Sequence, residues 1–183
     1  MKRYTVILAL CVSALFAACS LIDSDKRMIR GHYKSTYEQR VVDGIPADIH
    51  LDVDEELAYW SFHNNVDMKV VFYFNEFDFS NLTLTYKIDI EGSWDYDKNK
   101  LIVDVDTTTF RYEFLGSDAQ TPTERAMVRQ LCNNVVVTDL MPKVRKKLLN
   151  MSQRSVVVYE LSEKGMVVEE PLSGGKIEMK RIE

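Results

Sequence analysis

Three histidines, His32, His50 and His63, and many carboxylates are the side chains from which chemistry could be built. His50 stands between Asp48 and Asp52, and imidazole with carboxylates is a metal-ligating set. Alternate residues along one strand converge on an ion only with help from neighbouring strands, so a solvated polar face is the simpler reading. Asp95, Asp97 and Asn99 copy the opening of a calcium loop, and Asp106 falls at its twelfth place. Lys100 occupies the sixth place, where the sharp turn needs Gly, and the twelfth-place Glu is missing; a hairpin turn is expected there. The sequence holds no Gly-x-Ser-x-Gly elbow, glycine-rich phosphate loop, Cys-x-x-Cys or helical His-x-x-x-His pair. A non-enzymatic protein is therefore expected, with no catalytic residue, no metal and no cofactor.

The 183 residues are one domain's worth, and 46% hydrophobic with 28% charged residues excludes a disordered chain, a collagen-like fibre and a polytopic membrane protein. A net charge of −5 argues against nucleic acid as a partner. Three cysteines, Cys11, Cys19 and Cys132, are too few for a disulfide scaffold. Lys2 and Arg3 precede an apolar run from Val6 to Ala18, too short for a bilayer span and suited to a signal-peptide core. The run ends Leu15-Phe16-Ala17-Ala18-Cys19, which resembles a bacterial lipoprotein lipobox. That resemblance implies a signal peptide over 1–18, a diacylated and then N-acylated Cys19, and a lipidated tether over 19–29. An ordinary secretory signal cut after Ala18 is the alternative. Several acyl chains make an effectively permanent anchor, so the expected place is the cell envelope, at the outer membrane. Cys132 is then left without an internal partner and is expected to fill core space.

From about Arg30 onward, apolar residues recur with period two. Ile49, Leu51 and Val53 alternate with acids, and Ala58, Trp60 and Phe62 are expected on one face opposite Tyr59, Ser61 and His63. Val70 to Phe74 is continuously aromatic or β-branched. Leu82 to Ile90 alternates again, and 97–100 is a polar turn before Leu101, Val103 and Val105. Phe110 to Leu115 completes a run of about six strands without helices between them, which implies an antiparallel sheet. At Thr121 the period changes: Thr121, Pro122 and Glu124 form a capping box with proline at the first helical position. Pro142 is expected to break this helix, or to begin a second one capped by Asp139 and ending near Asn150. The run Val135 to Val137 also suits a strand. After Arg154 a hairpin turns at 163–165, and a last strand directs Ile177, Met179 and Ile182 inward. The expected fold is mainly β: one antiparallel barrel or strongly curved sheet over 30–183, with a one- or two-helix insertion near 122–150.

Two residue groups then stand out as binding candidates. Trp60, Phe62, Phe72, Phe74, Tyr86 and Trp94 belong to an aromatic cluster that either fills the core or lines a pocket for an apolar ligand. Lys143, Arg145, Lys146 and Lys147 are the one basic cluster. In the last turns of a helix they favour the macrodipole; on a tethered protein they could meet lipid headgroups or an acidic partner.

Gly31-His32-Tyr33 at the first strand, Glu91-Gly92-Ser93-Trp94-Asp95-Tyr96-Asp97 before a turn, and a closing strand ending Lys180-Arg181-Ile182 resemble the lipocalin-like small lipoproteins of Bacteroides-type bacteria. In that calycin-type group Gly-x-Trp begins a barrel and a basic residue near the last strand closes over it; Tyr33 takes the tryptophan's place here. The resemblance implies a binding module for a small apolar molecule or lipid, held between the concave sheet and the helical block. The alternative is a scaffolding lipoprotein that binds another envelope protein.

Overall fold

The computed structural model describes residues 26–39, 47–74, 81–170 and 174–182. The expected signal peptide, Cys19, most of the tether, and the aromatics Phe77 and Phe79 lie outside the described residues. Nine strands form among those described: β1 (Gly31–Gln39), β2 (Ala47–Ala58), β3 (Ser61–Phe72), β4 (Leu82–Asp97), β5 (Lys100–Val105), β6 (Arg111–Ser117), β7 (Arg154–Ser162), β8 (Gly165–Glu169) and β9 (Lys176–Arg181). Eight of them close an antiparallel barrel in the order β1-β2-β3-β4-β5-β7-β8-β9, with β9 returning to β1. β6 is the extra strand.

The alternation drives this closure. Ala47, Ile49, Leu51, Val53 and Leu57 on β2 are buried, as are Leu82, Leu84, Tyr86, Ile88 and Ile90 on β4, while the intervening polar residues stay wet. Eight strands leave a bore that side chains can fill. The β4–β5 hairpin turns at Lys98 and Asn99, whose φ of 48° and 63° are the left-handed pair that matches strand twist. The calcium-like acids thus serve a plain hairpin.

β4 is shared. Its first part pairs on one edge with β6, from Leu84↔Ser117 to Asp89↔Arg111, and its last part pairs on the same edge with β5, from Gly92↔Val105 onward. Gly92 marks the fork. A Cβ there would stand 2.3 Å from the Asp104 carbonyl oxygen and 2.9 Å from Val105 Cα, so only glycine lets β5 approach.

Between β6 and β7 the chain forms one long helix: α1 (Pro122–Leu131), a π-helical stretch (Cys132–Leu140) and α2 (Met141–Ser152). The capping box is formed: Thr121 Oγ1 accepts from the Glu124 N–H at 3.2 Å, and Glu124 accepts from the Thr121 and Gln120 N–H groups at 2.8 Å. Those donors hold the Glu124 carboxyl below its usual range. The expected break at Pro142 does not occur, and Asp139 is not a cap, since α2 starts without a side-chain cap. The wider π turns carry the valines, which are poor α formers, and deliver Pro142 to the first turn of α2, where its missing N–H is tolerated. Val135 to Val137 are therefore helical.

Two strand expectations are corrected as well. Ala58, Trp60 and Phe62 do not share one strand face, because the chain reverses at Tyr59-Trp60 and Ala58 pairs with Ser61. The strand expected over Phe110 to Leu115 is present as β6, antiparallel to β4 and outside the closed barrel. Ile182 is 43% exposed, and Arg181 holds its neighbouring position at the barrel end.

Replacing Gly92 with alanine should force β4 and β5 apart at the fork, costing about 1–3 kcal/mol. Urea unfolding of G92A against the parent would measure it, and an unchanged midpoint would contradict the close approach.

Candidate functional site

The inward faces of the strands carry one transverse polar row. Arg181 on β9 lies opposite Tyr33, Tyr33 opposite Glu55, Glu55 opposite Asn64, and Asn64 opposite Ile90. Side chains in register on adjacent strands project to the same face, so this row crosses the bore wall. Tyr33, Glu55 and Asn64 are all at most 3% exposed. From the opposite wall, Arg154 at the start of β7 reaches Glu55 and forms a buried ion pair. A second Arg154 nitrogen donates to the Met151 carbonyl at the end of α2. Asn64 Nδ2 donates to Ser152 Oγ at 3.3 Å, which fastens the end of the helix to β3. Asn64 Oδ1 and Arg154 Nε stay without a hydrogen-bond partner inside the bore.

One end of the barrel is plugged by the helical turn 26–29. Ile29 is fully buried, Tyr33 Oη donates to its carbonyl, and Arg181 bonds both the Met28 carbonyl and Tyr33 Oη. The Arg181 guanidinium also lies 5.4 Å from the Tyr33 ring centroid. Burial raises the Tyr33 hydroxyl above its usual range, and the Arg181 hydrogen bond partly offsets that. A basic residue of the last strand thus closes over Tyr33 of the first.

The aromatic candidates separate into two groups. Phe62, Phe72, Tyr86 and Trp94 are buried at 5% exposure or less, and Phe74 is packed against them. They share one core with Val128, Val136, Leu140, Val144 and Leu148 of the helix. Tyr86 Oη lies 3.2 Å from Cys132 Sγ, and burial with this contact raises the tyrosine. Helix side chains thus pack in the same cluster as these aromatics. Trp94 Nε1 donates to the Ala58 carbonyl at 3.3 Å. Trp60 does not join them: it sits in the β2–β3 turn and is 62% exposed.

The histidines do not converge. His32, His50 and His63 lie within 3.3–3.8 Å of the carboxylates of Glu56, Asp52 and Asp89 respectively, on the outer wall. Among the described residues no three metal-ligating side chains come together. Lys143, Arg145 and Lys146 are exposed and Lys147 is half-buried, but they lie in the first turns of α2 rather than the last. That corrects the macrodipole expectation. Arg145 instead donates to the Thr107 carbonyl at 3.0 Å and lies over the Phe110 ring at 5.7 Å. Phe110 leads to Tyr112 at 6.3 Å between ring centroids, and Phe114 packs on Tyr86 at 5.2 Å. An aromatic stripe thus runs along β6 to the basic face of α2.

Sequence reading missed the bore. Its signal was Glu55, the one acid in the inward series of β2, and Asn64 between Phe62 and Val66. Arg154 alone replaced by methionine leaves Glu55 buried without a counter-charge and should cost about 3–5 kcal/mol. The double variant E55L/R154M should regain most of that in denaturant unfolding; additive losses would show the pair is not coupled. No protein-family model matches the chain, and no curated protein matches it either.

Proposed function

We propose that this chain is a cell-envelope lipoprotein, held in a membrane through Cys19, whose barrel is a non-enzymatic module that binds another protein along β6. The observation that carries this reading is the free edge and aromatic face of β6. Among the described residues β6 ends the strand order, with β4 as its one neighbour. A terminal strand offers a row of backbone donors and acceptors to which an extended segment can add. Beside that edge Tyr112, Phe114 and Leu115 are 43–52% exposed, a concentration of apolar surface typical of interaction sites. Lys143 and Lys146 give the adjoining helix a basic rim suited to an acidic partner.

The membrane anchor rests on the apolar run Val6 to Ala18 that ends at Cys19. An apolar small molecule is the second reading. Its seat would lie between sheet and helix, where Val136, Leu140 and Leu148 belong to the packed core, so a ligand there would compete with those contacts. The cost of uncovering that apolar area weighs against it.

Photoreactive amino acids at Glu113 and Leu115 should give one discrete protein adduct in the native host, whereas the same group at Asp52 on the outer barrel wall should give none. Lysines at Phe114 and Leu115 should lower the yield several-fold. Equal labelling at all three sites overturns docking at β6. A bound mass in native mass spectrometry that denaturation removes, without any adduct, would replace it with the small-molecule reading.

A further inference from the structure

The plugged end of the barrel carries the two most exposed aromatic side chains described. Tyr59 is 70% and Trp60 62% exposed, and together they make the turn of the β2–β3 hairpin. Neither Tyr59 nor Trp60 has a positive φ, so the turn itself demands no Gly or Asn, and small polar residues would serve it and solvate better. Two large rings at the tip serve neither the turn nor the core.

Each ring is mounted on a cation. Lys26 Nζ stands 4.8 Å from the Trp60 ring, and the Arg30 guanidinium 4.1 Å from the Tyr59 ring. Lys26 is itself fixed by an ion pair with Asp95, and that hydrogen bond holds the Asp95 carboxyl below its usual range. These contacts keep the rings in place at the surface with the Lys26 and Arg30 side chains beside them. Met28, 46% exposed, lies in the same helical turn as Lys26.

Trp and Tyr flanked by Lys and Arg are the composition that settles at the headgroup level of a bilayer, where an amphipathic ring has an apolar body and a polar edge to satisfy. Chain length brings the tip there. Lys26 follows Cys19 by only seven residues, and seven residues fully extended reach at most about 25 Å. The described chain enters the fold at Lys26, beside Trp60, so an anchor at Cys19 keeps this end of the barrel nearest the lipid.

We propose that the Tyr59–Trp60 tip, with Lys26 and Arg30 seated on its rings, is a bilayer-contact site that lays the plugged end of the barrel on the membrane surface. It rests on the lipoprotein reading given above, and the occupant of the tip is lipid rather than a protein. The contact restrains orientation. A barrel swinging on its tether presents β6 in every direction, whereas one seated on its tip presents β6 on a fixed side.

Trp60 and Trp94 are the two tryptophans of the chain, and Trp94 is buried, so Trp60 emission can be isolated by difference. The full chain is expressed in a Gram-negative host, purified in detergent and returned to vesicles of phosphatidylethanolamine and phosphatidylglycerol, with or without brominated phosphatidylcholine. The brominated lipid should remove most of the Trp60 emission and leave that of the W60F variant unchanged, while aqueous iodide should have little access. The Cys19 peptide is weighed in parallel. If Trp60 is quenched by iodide and not by bromine on a chain that bears the acyl mass, the tip faces water and the inference falls while the lipoprotein reading stands. Shielding from both quenchers would give the tip to a protein neighbour and overturns it likewise. A Cys19 peptide without acyl mass overturns the lipoprotein reading, and the inference with it.

Discussion

The ion pair between Glu55 and Arg154 is the constraint on which the rest of this barrel hangs. In the closed order of eight strands, β2 and β7 stand four apart, so the pair crosses the bore rather than linking neighbours. Two charges withdrawn from water are costly unless they meet, and here they can meet only if both walls hold their register. Arg154 then extends the constraint outward: it binds the Met151 carbonyl, and Ser152 next to it receives Asn64. The ends of a helix, a strand and a barrel wall are therefore fixed by one cluster. Leucines at these positions would bury as much area, but they would tolerate a shifted register that the charges do not.

β4 does the complementary work at the surface. Its sixteen residues serve two partners on one edge, β6 over its first part and β5 over its last, with Gly92 at the fork. An extra strand and a 31-residue helix are thereby inserted without opening the barrel. Because β6 departs from the closed wall, its far edge is left without a strand among the described residues. The helix then folds back over the inward face of β3 and β4, as the Tyr86–Cys132 and Asn64–Ser152 contacts record. Closure of the barrel and exposure of an edge come from the same strand.

Much of the barrel was legible because half-buried strands write their period directly into the chain. β2, β4 and β5 follow it residue by residue, and the Thr121 capping box declared the helix start. The failures have physical causes. Tyr59-Trp60 carries no turn residue, so two strands and a reversal looked like one strand. Pro142 suggested a break because local rules assume α geometry, and a π stretch is specified by packing rather than by a local code. The bore was hidden for a different reason: Glu55 and Asn64 reveal their role only when a third residue, Arg154, arrives from across the barrel. β6 has the composition of a core strand, and only topology leaves it outside.

The two ends of the molecule thus come to differ in kind. The Tyr59–Trp60 turn pairs, through Ser61, with Ser93 of β4, whereas β6 pairs with Leu84 to Asp89 of the same strand. Leu84 and Ser93 are nine residues apart, about 30 Å along an extended strand. The far part of β6 therefore lies well away from the end of the barrel where Lys26 stands beside Trp60. The bore is crossed by its own ion pair, and the helix packs over the inward face of β3 and β4. Of the six aromatic residues that composition groups together, Phe62, Phe72, Tyr86 and Trp94 are buried in the core and Phe74 packs against it, while Trp60 stays exposed because the chain reverses there.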